Sequence, residues 1–155
     1  MTKEQRHNCM SRIRGKDTRP EMVVRRWLHS EGFRYSLHSR KLPGCPDIVL
    51  RRYHTVIFIN GCFWHGHPGC DNFRMPRSNV EFWQEKIRRN KERDAQEVAA
   101  LEALGWNVIV VWECELSRRA RDLTLRNLVD AVRRNIEPES IHPIPLSVRK
   151  LSLKE

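Results

Sequence analysis

The chain reads as an α/β domain, a mixed central sheet flanked by helices. Three observations predict it. Apolar residues recur at helical spacing behind a helix-start signal at residues 18–21. Two β-rich runs follow at 47–50 and 55–59. A long helical stretch then ends at Gly105, just before a near-continuous apolar run.

Taken in order, residues 1–17 are basic and polar without apolar periodicity, and read as a flexible arm. Thr18-Arg19-Pro20-Glu21 is a capping box with a proline in the first turn. Val23, Val24, Trp27 and Leu28 follow at helical spacing and Gly32 is a stop, which predicts a helix over Arg19–Glu31. Phe33–Leu37 reads as a short strand and Leu42–Pro46 as a loop. Asp47–Leu50 and Thr55–Ile59, separated by Arg51–His54, predict a hairpin. Cys62–Pro76 is irregular. Asn79 is placed as the cap of a helix running to about Leu104. Trp106–Trp112, apolar almost throughout, predicts a buried central strand, and Leu123–Asn135 a last amphipathic helix. The order is α-β-β-β-α-β-α, with a folded domain over 18–135 and a tail or loose extension over 136–155.

A length of 155 residues suits one core, and 39% apolar with 31% charged residues suits a folded domain. No apolar run approaches the ~20 residues of a membrane span. The opening MTKEQRHNCMSRIRGK has no apolar centre, so it is not read as a secretory signal, and a cytoplasmic protein is expected. Lysine and arginine outnumber aspartate and glutamate by 29 to 19, a net +10. Such a balance favours a polyanionic partner, nucleic acid or an anionic membrane surface, without choosing between them. The cysteine count is five. An odd number argues against a disulfide framework and leaves metal ligation or plain burial.

Cys62, His67 and Cys70 have the spacing C-x4-H-x2-C in GCFWHGHPGC, and Cys114 follows the last apolar run in VWEC. Three thiolates and an imidazole make a closed tetrahedral zinc site with no place for a reacting water. The competing view leaves Cys114 an ordinary buried cysteine and the loop histidines exposed. Asp47 opens a strand, as a magnesium-binding carboxylate does in many nucleases. Alone, a Pro-Asp pair reads rather as a turn aspartate bonded to nearby backbone.

Together Asp17-Thr18, Glu21, PGCPDIVL, VIFINGCFWHGHPGC, EFWQEKIRRNKERD and LGWNVIVVWECEL resemble the very-short-patch repair endonucleases, from about His7 to about Asn135. The resemblance implies a divergent PD-(D/E)xK restriction-endonuclease-like fold with a structural zinc. It implies magnesium-dependent nicking of one strand 5′ of the thymine in a T·G mismatch, left by deamination of 5-methylcytosine. The implied partners are duplex DNA with that mismatch and general mismatch-repair proteins. No membrane is expected, and the protein is expected to be a monomer associated with the bacterial nucleoid through DNA.

The same resemblance assigns roles. Asp47 is the magnesium-binding aspartate and Ile59 lends a backbone carbonyl as a second ligand. His65 acts near the attacking water, with Glu21 and Asp94 as supporting acids. Cys62, His67, Cys70 and Cys114 hold zinc, and Phe63, Trp64 and Trp83 form a wedge pushed into the DNA stack. Asn60 departs from the motif, which has histidine there, so a second acid/base role at that position is in doubt. Glu21 also sits where a capping-box glutamate belongs. Lys86, Asn90, Arg93, Asp94 and Glu97 share one helix face, which otherwise reads as solvated ion pairs. Asp94 is expected beside Arg93, and Lys86 and Arg93 are assigned to DNA. Trp27, Trp106 and Trp112 fall in core-facing patterns. Two alternatives remain: a non-catalytic zinc-containing DNA-binding module, and a restriction-like nuclease of the same fold.

Overall fold

A computed structural model of the chain describes residues 2–5 and 15–135. The expected tail, and most of the expected arm, lie outside the described residues. The first long helix, α1, spans Arg19–Ser30. The Thr18 side chain accepts from the Glu21 N–H, and Glu21 reaches back to the Asp17 N–H at 3.2 Å, so the capping signal acts as a cap. Gly32 stops the helix with φ +89°, a conformation only glycine adopts without strain. Phe33 then turns back, its N–H donating to the Leu28 carbonyl at 3.0 Å.

Four strands follow: β1 (Ser36–Leu37), β2 (Ile48–Leu50), β3 (Thr55–Asn60) and β4 (Asn107–Trp112), in the spatial order β1-β2-β3-β4. β2 runs antiparallel to both of its neighbours, β1 and β3, whereas β3 and β4 are parallel. Of the expected strand at Phe33–Leu37 only the last two residues pair; Phe33 instead drops into the core. The hairpin turn is a 3₁₀ turn at Arg51–Tyr53 closed by His54 at φ +50°.

Side chains alternate across this sheet and feed two cores. On one face Ile48, Leu50, Ile57, Ile109 and Val111 meet Val24 and Leu28 of α1 and Leu125, Leu128 and Val132 of the last helix, α3 (Arg121–Arg134). On the other, Val49, Val56 and Val108 meet Leu101 of the long helix α2 (Val80–Ala103). Both faces are covered, so the strands read as continuous apolar runs.

Two expectations are corrected. Trp106–Trp112 is not a central strand; among the described strands β4 is an edge, because burial on both faces says nothing about pairing on both sides. Asn79 sits at the N-cap of α2 at φ +54° but makes no side-chain cap; its carbonyl accepts the Trp83 N–H instead. Of α2, only Ile87 and Leu101 are fully buried. The helix carries Trp83, Lys86, Asn90 and Asp94 along its length ahead of Leu101. No helix among the described residues is long and apolar enough to cross a membrane.

Candidate active site

The parallel register builds the first cluster. Asn60 of β3 lies beside Trp112 of β4, so the chains leave the sheet side by side and bring Cys62 and Cys114 together. The Cys114 end is a 3₁₀ turn at Glu113–Leu116. Ligand atoms of Cys62, His67, Cys70 and Cys114 all lie within 4.8 Å of one another. Cys114 Sγ is 3.4 Å from His67 Nδ1. The His67 ring stacks on Trp112 at 4.1 Å and 7°. Trp112 was expected in the core; one of its faces belongs to this cluster instead. Burial, then the neighbouring Cys62 and Cys70, pushes the Cys114 thiol up to about 12, and burial also raises Cys62. Cys62 and Cys114 hold their protons because burial disfavours the charge and a neighbouring thiolate would repel it, whereas the Cys70 thiol is lowered; a divalent cation removes that cost. Three sulfurs and one nitrogen fit zinc, and the set leaves no open position.

A cleft of about 1050 Å³ opens beside this cluster, lined by Glu21, His38, Asp47, Ile59, Asn60, Trp64, His65, Arg93 and Asp94 among others. Asp47 Oδ2 accepts the Ile59 N–H at 2.8 Å, which ties the start of β2 to the end of β3 and leaves Oδ1 unspent by that bond. Burial raises the Asp47 carboxyl above its ordinary value, and the nearby Glu21 charge adds to this. A carboxylate so placed, beside a backbone carbonyl at Ile59, suits a hard cation with oxygen ligands.

His65 hangs from the loop that the cysteines fix. Its Nδ1 lies 2.6 Å from Asp94 Oδ2 of α2. An ionised carboxylate only accepts, so Nδ1 donates, and in the neutral ring Nε2 is the nitrogen with the lone pair. Asp94 was expected beside Arg93; instead Arg93 reaches Asn90 at 3.2 Å and Glu97 at 3.7 Å. Asn90 holds the loop by donating to the Trp64 carbonyl at 2.9 Å. Asn60 lines the cleft and is 9% exposed.

Phe63, Trp64 and Trp83 stand outside both sheet cores. Phe63 meets Trp64 at 5.2 Å and Trp83 at 5.3 Å, centroid to centroid, and Trp64 meets Trp83 at 6.0 Å. Lys86 Nζ lies 5.6 Å from Trp64 and 5.8 Å from Trp83. Phe82 extends the group and is 58% exposed.

The family profile described as "DNA mismatch endonuclease Vsr" matches residues 1–71. The chain is 48% identical over 131 residues to "Type II nicking enzyme V.XorIIP" of Xanthomonas oryzae pv. oryzae, covering 84% of this chain and 96% of that protein. The chain belongs to the Vsr family. It is also 49% identical over 119 residues to "Type II nicking enzyme V.NmeAIP" of Neisseria meningitidis serogroup A, covering 77% of this chain and 84% of that one. "DNA mismatch endonuclease Vsr" of Escherichia coli K12 is 41% identical over 119 residues, 77% of this chain and 76% of that protein.

In this Vsr-family chain sequence reasoning missed His38, which lines the cleft, and Arg25, which lies buried behind it. His38 is one strand pair from Asp47: Leu37 lies opposite Ile48, and the His38 N–H donates to the Asp47 carbonyl at 3.2 Å. Arg25, one turn after Glu21, binds Glu21 Oε2 at 2.7 Å and Asp17 Oδ1 at 2.7 Å. The signal for His38 was the β1–β2 register, which the sequence does not spell out. The i, i+4 spacing of Glu21 and Arg25 was legible.

Proposed function

We propose that the protein is an endonuclease that nicks one strand of duplex DNA 5′ of the thymine in a T·G mismatch, with a magnesium ion at Asp47 and a structural zinc at Cys62, His67, Cys70 and Cys114. The observation that carries it is the His65–Asp94 pair at 2.6 Å in the same cleft as Asp47. A fixed imidazole beside a half-buried carboxylate is the equipment of hydrolysis; a bare binding module has no use for it.

His65 Nε2 takes the proton from the attacking water, and Asp94 steadies the imidazolium through Nδ1. The water oxygen bonds to phosphorus as the bond to the leaving oxygen breaks. Asp47 and the Ile59 carbonyl would hold a magnesium ion, which would supply charge neutralisation at the phosphate and at the leaving oxygen. Asn60 donates to phosphate or water but carries no proton. The zinc ligands fix the loop and so fix the base. The fold then counts as a divergent PD-(D/E)xK nuclease in which a histidine stands in for the lysine. Phe63, Trp64 and Trp83 enter the stack at the mismatch, where inserted rings offset the few kcal/mol of unstacking. Lys86 and Arg93 take backbone phosphates.

The test is single-turnover cutting of a duplex labelled on each strand in turn, with T·G, T·A or C·G at one position. Nicking of the T strand of the T·G duplex alone, and only with magnesium, is expected. Equal cutting of the fully paired duplexes would instead support a restriction-like specificity.

A further inference from the structure

Asp17, Glu21 and His38 present ligand atoms within 4.8 Å of one another, an arrangement that suits a cation. A cation is already there: the Arg25 guanidinium. Its Nη1 binds Asp17 Oδ1 at 2.7 Å, and its Nη2 lies 2.7 Å from Glu21 Oε2 and 2.9 Å from His38 Nε2. Arg25 and Glu21 are 7% and 2% exposed, so the pair is fixed by burial as well as by charge. Both carboxylates are spent on the arginine, which leaves Glu21 acting through its neighbours.

The consequence falls on His38. A guanidinium donates and never accepts, so in the neutral ring the 2.9 Å contact has His38 Nε2 offering its lone pair to Arg25, with Glu21 Oε2 beside it at 3.4 Å. The ring proton is thereby sent to Nδ1, on the side where Asp47 Oδ1 lies 3.8 Å away. The backbone bond from His38 to Asp47 fixes the two residues opposite each other. Asp47 Oδ2 is meanwhile held by the Ile59 N–H. One oxygen of the carboxylate is anchored by β3, and the other lies 3.8 Å from Nδ1 of His38, the residue after β1.

We propose that His38, locked in its Nδ1–H form by Arg25, is the positioning residue that orients the Asp47 carboxylate for the divalent ion. The proposal rests on the reading of Asp47 as a metal ligand. Partners of a ligating carboxylate set its geometry, and losing one commonly weakens metal binding about 10–100-fold.

The probe is manganese, titrated by electron paramagnetic resonance into zinc-loaded full-length protein bound to a T·G duplex with a non-hydrolysable scissile linkage. His38→Asn places an amide N–H near the former Nδ1, whereas His38→Gln places it near the former Nε2. Affinity should fall roughly 10–100-fold in His38→Ala and His38→Gln and be largely restored in His38→Asn. With hydrolysable DNA the same variants should need more magnesium for half-maximal rate, while the rate at saturating magnesium stays near wild type. A packing role would make the Asn and Gln variants lose affinity alike, in step with their melting temperatures, and that result overturns the proposal. So does wild-type affinity in His38→Ala when Asp47→Asn has lost the ion. If Asp47→Asn also binds manganese normally, the metal site itself is misplaced.

Discussion

At Asp47 two demands on one side chain conflict. Burial holds its carboxyl above the ordinary value, so the folded chain ionises it less readily than the unfolded chain does. The unfolded state therefore loses this proton first, and stability falls as pH rises from the ordinary aspartate range through the raised value. Asparagine keeps an oxygen for the Ile59 N–H and removes the buried charge. In a chelating buffer at neutral pH Asp47→Asn should melt higher than wild type, and the difference should vanish below the ordinary aspartate range. The same variant should not nick. Wild-type-like nicking would refute the proposed site, and a lower melting temperature would mean that the charge is satisfied in the fold.

His65 and Asp94 make a second residue-scale case. His65→Ala removes the base and should cut the single-turnover rate by ~10²–10⁴. Asp94→Asn is the sharper test. Its amide can donate to Nδ1, which moves the ring proton to Nε2 and occupies the base without deleting it. The loss should approach that of His65→Ala, with zinc content and mismatch binding unchanged. A near-normal rate would show that Asp94 merely neighbours the ring.

Among the elements, the loop after β3 has the least core of its own. Between Cys62 and Pro76 only Cys62, Gly66 and His67 are buried. Its geometry therefore depends on the Cys62, His67, Cys70 and Cys114 cluster and on Asn90, which donates to the Trp64 carbonyl. Cys114→Ser should lose zinc by elemental analysis and lower nicking far more than helix content, because β3, β4 and both sheet cores lie outside the loop. Full zinc retention would remove Cys114 from the ligand set.

What was legible follows the same line between local and distant. The helices, the hairpin and the C-x4-H-x2-C trio are written in spacings of a few residues, and each stands where the sequence placed it. Cys114 was legible only as a cysteine after an apolar run; the parallel register with Asn60 makes it a neighbour of Cys62. β4 as an edge, and His38 opposite Asp47, are facts of strand order and register that periodicity does not encode. Asn79 shows a different limit: asparagine suits both a helix cap and the left-handed region, and here backbone shape decided.

For the molecule as a whole the governing quantity is the +10 charge, and it separates two ways of holding DNA. Lys16, Arg40 and Arg93 line the cleft beside the aromatic group, and all three are exposed. Cations that meet phosphates release counterions, each adding about 0.9 to the slope of log affinity against log salt. Stacked rings release none, and contribute roughly 1–3 kcal/mol per base at any salt. Affinity for a T·G duplex should therefore fall steeply between low and moderate salt. Arg40→Ala should reduce the slope by about 0.9 on mismatched and paired duplexes alike. Trp64→Ala should leave the slope intact and lower affinity for the mismatch more than for paired DNA. Its melting temperature should drop slightly, because Trp64 also packs on Phe63 and Trp83. Fluorescence anisotropy across a salt series reads both quantities at once. If Trp64→Ala changes the slope, or weakens both duplexes equally, the aromatic group is not a mismatch wedge and the cleft cations alone hold the DNA.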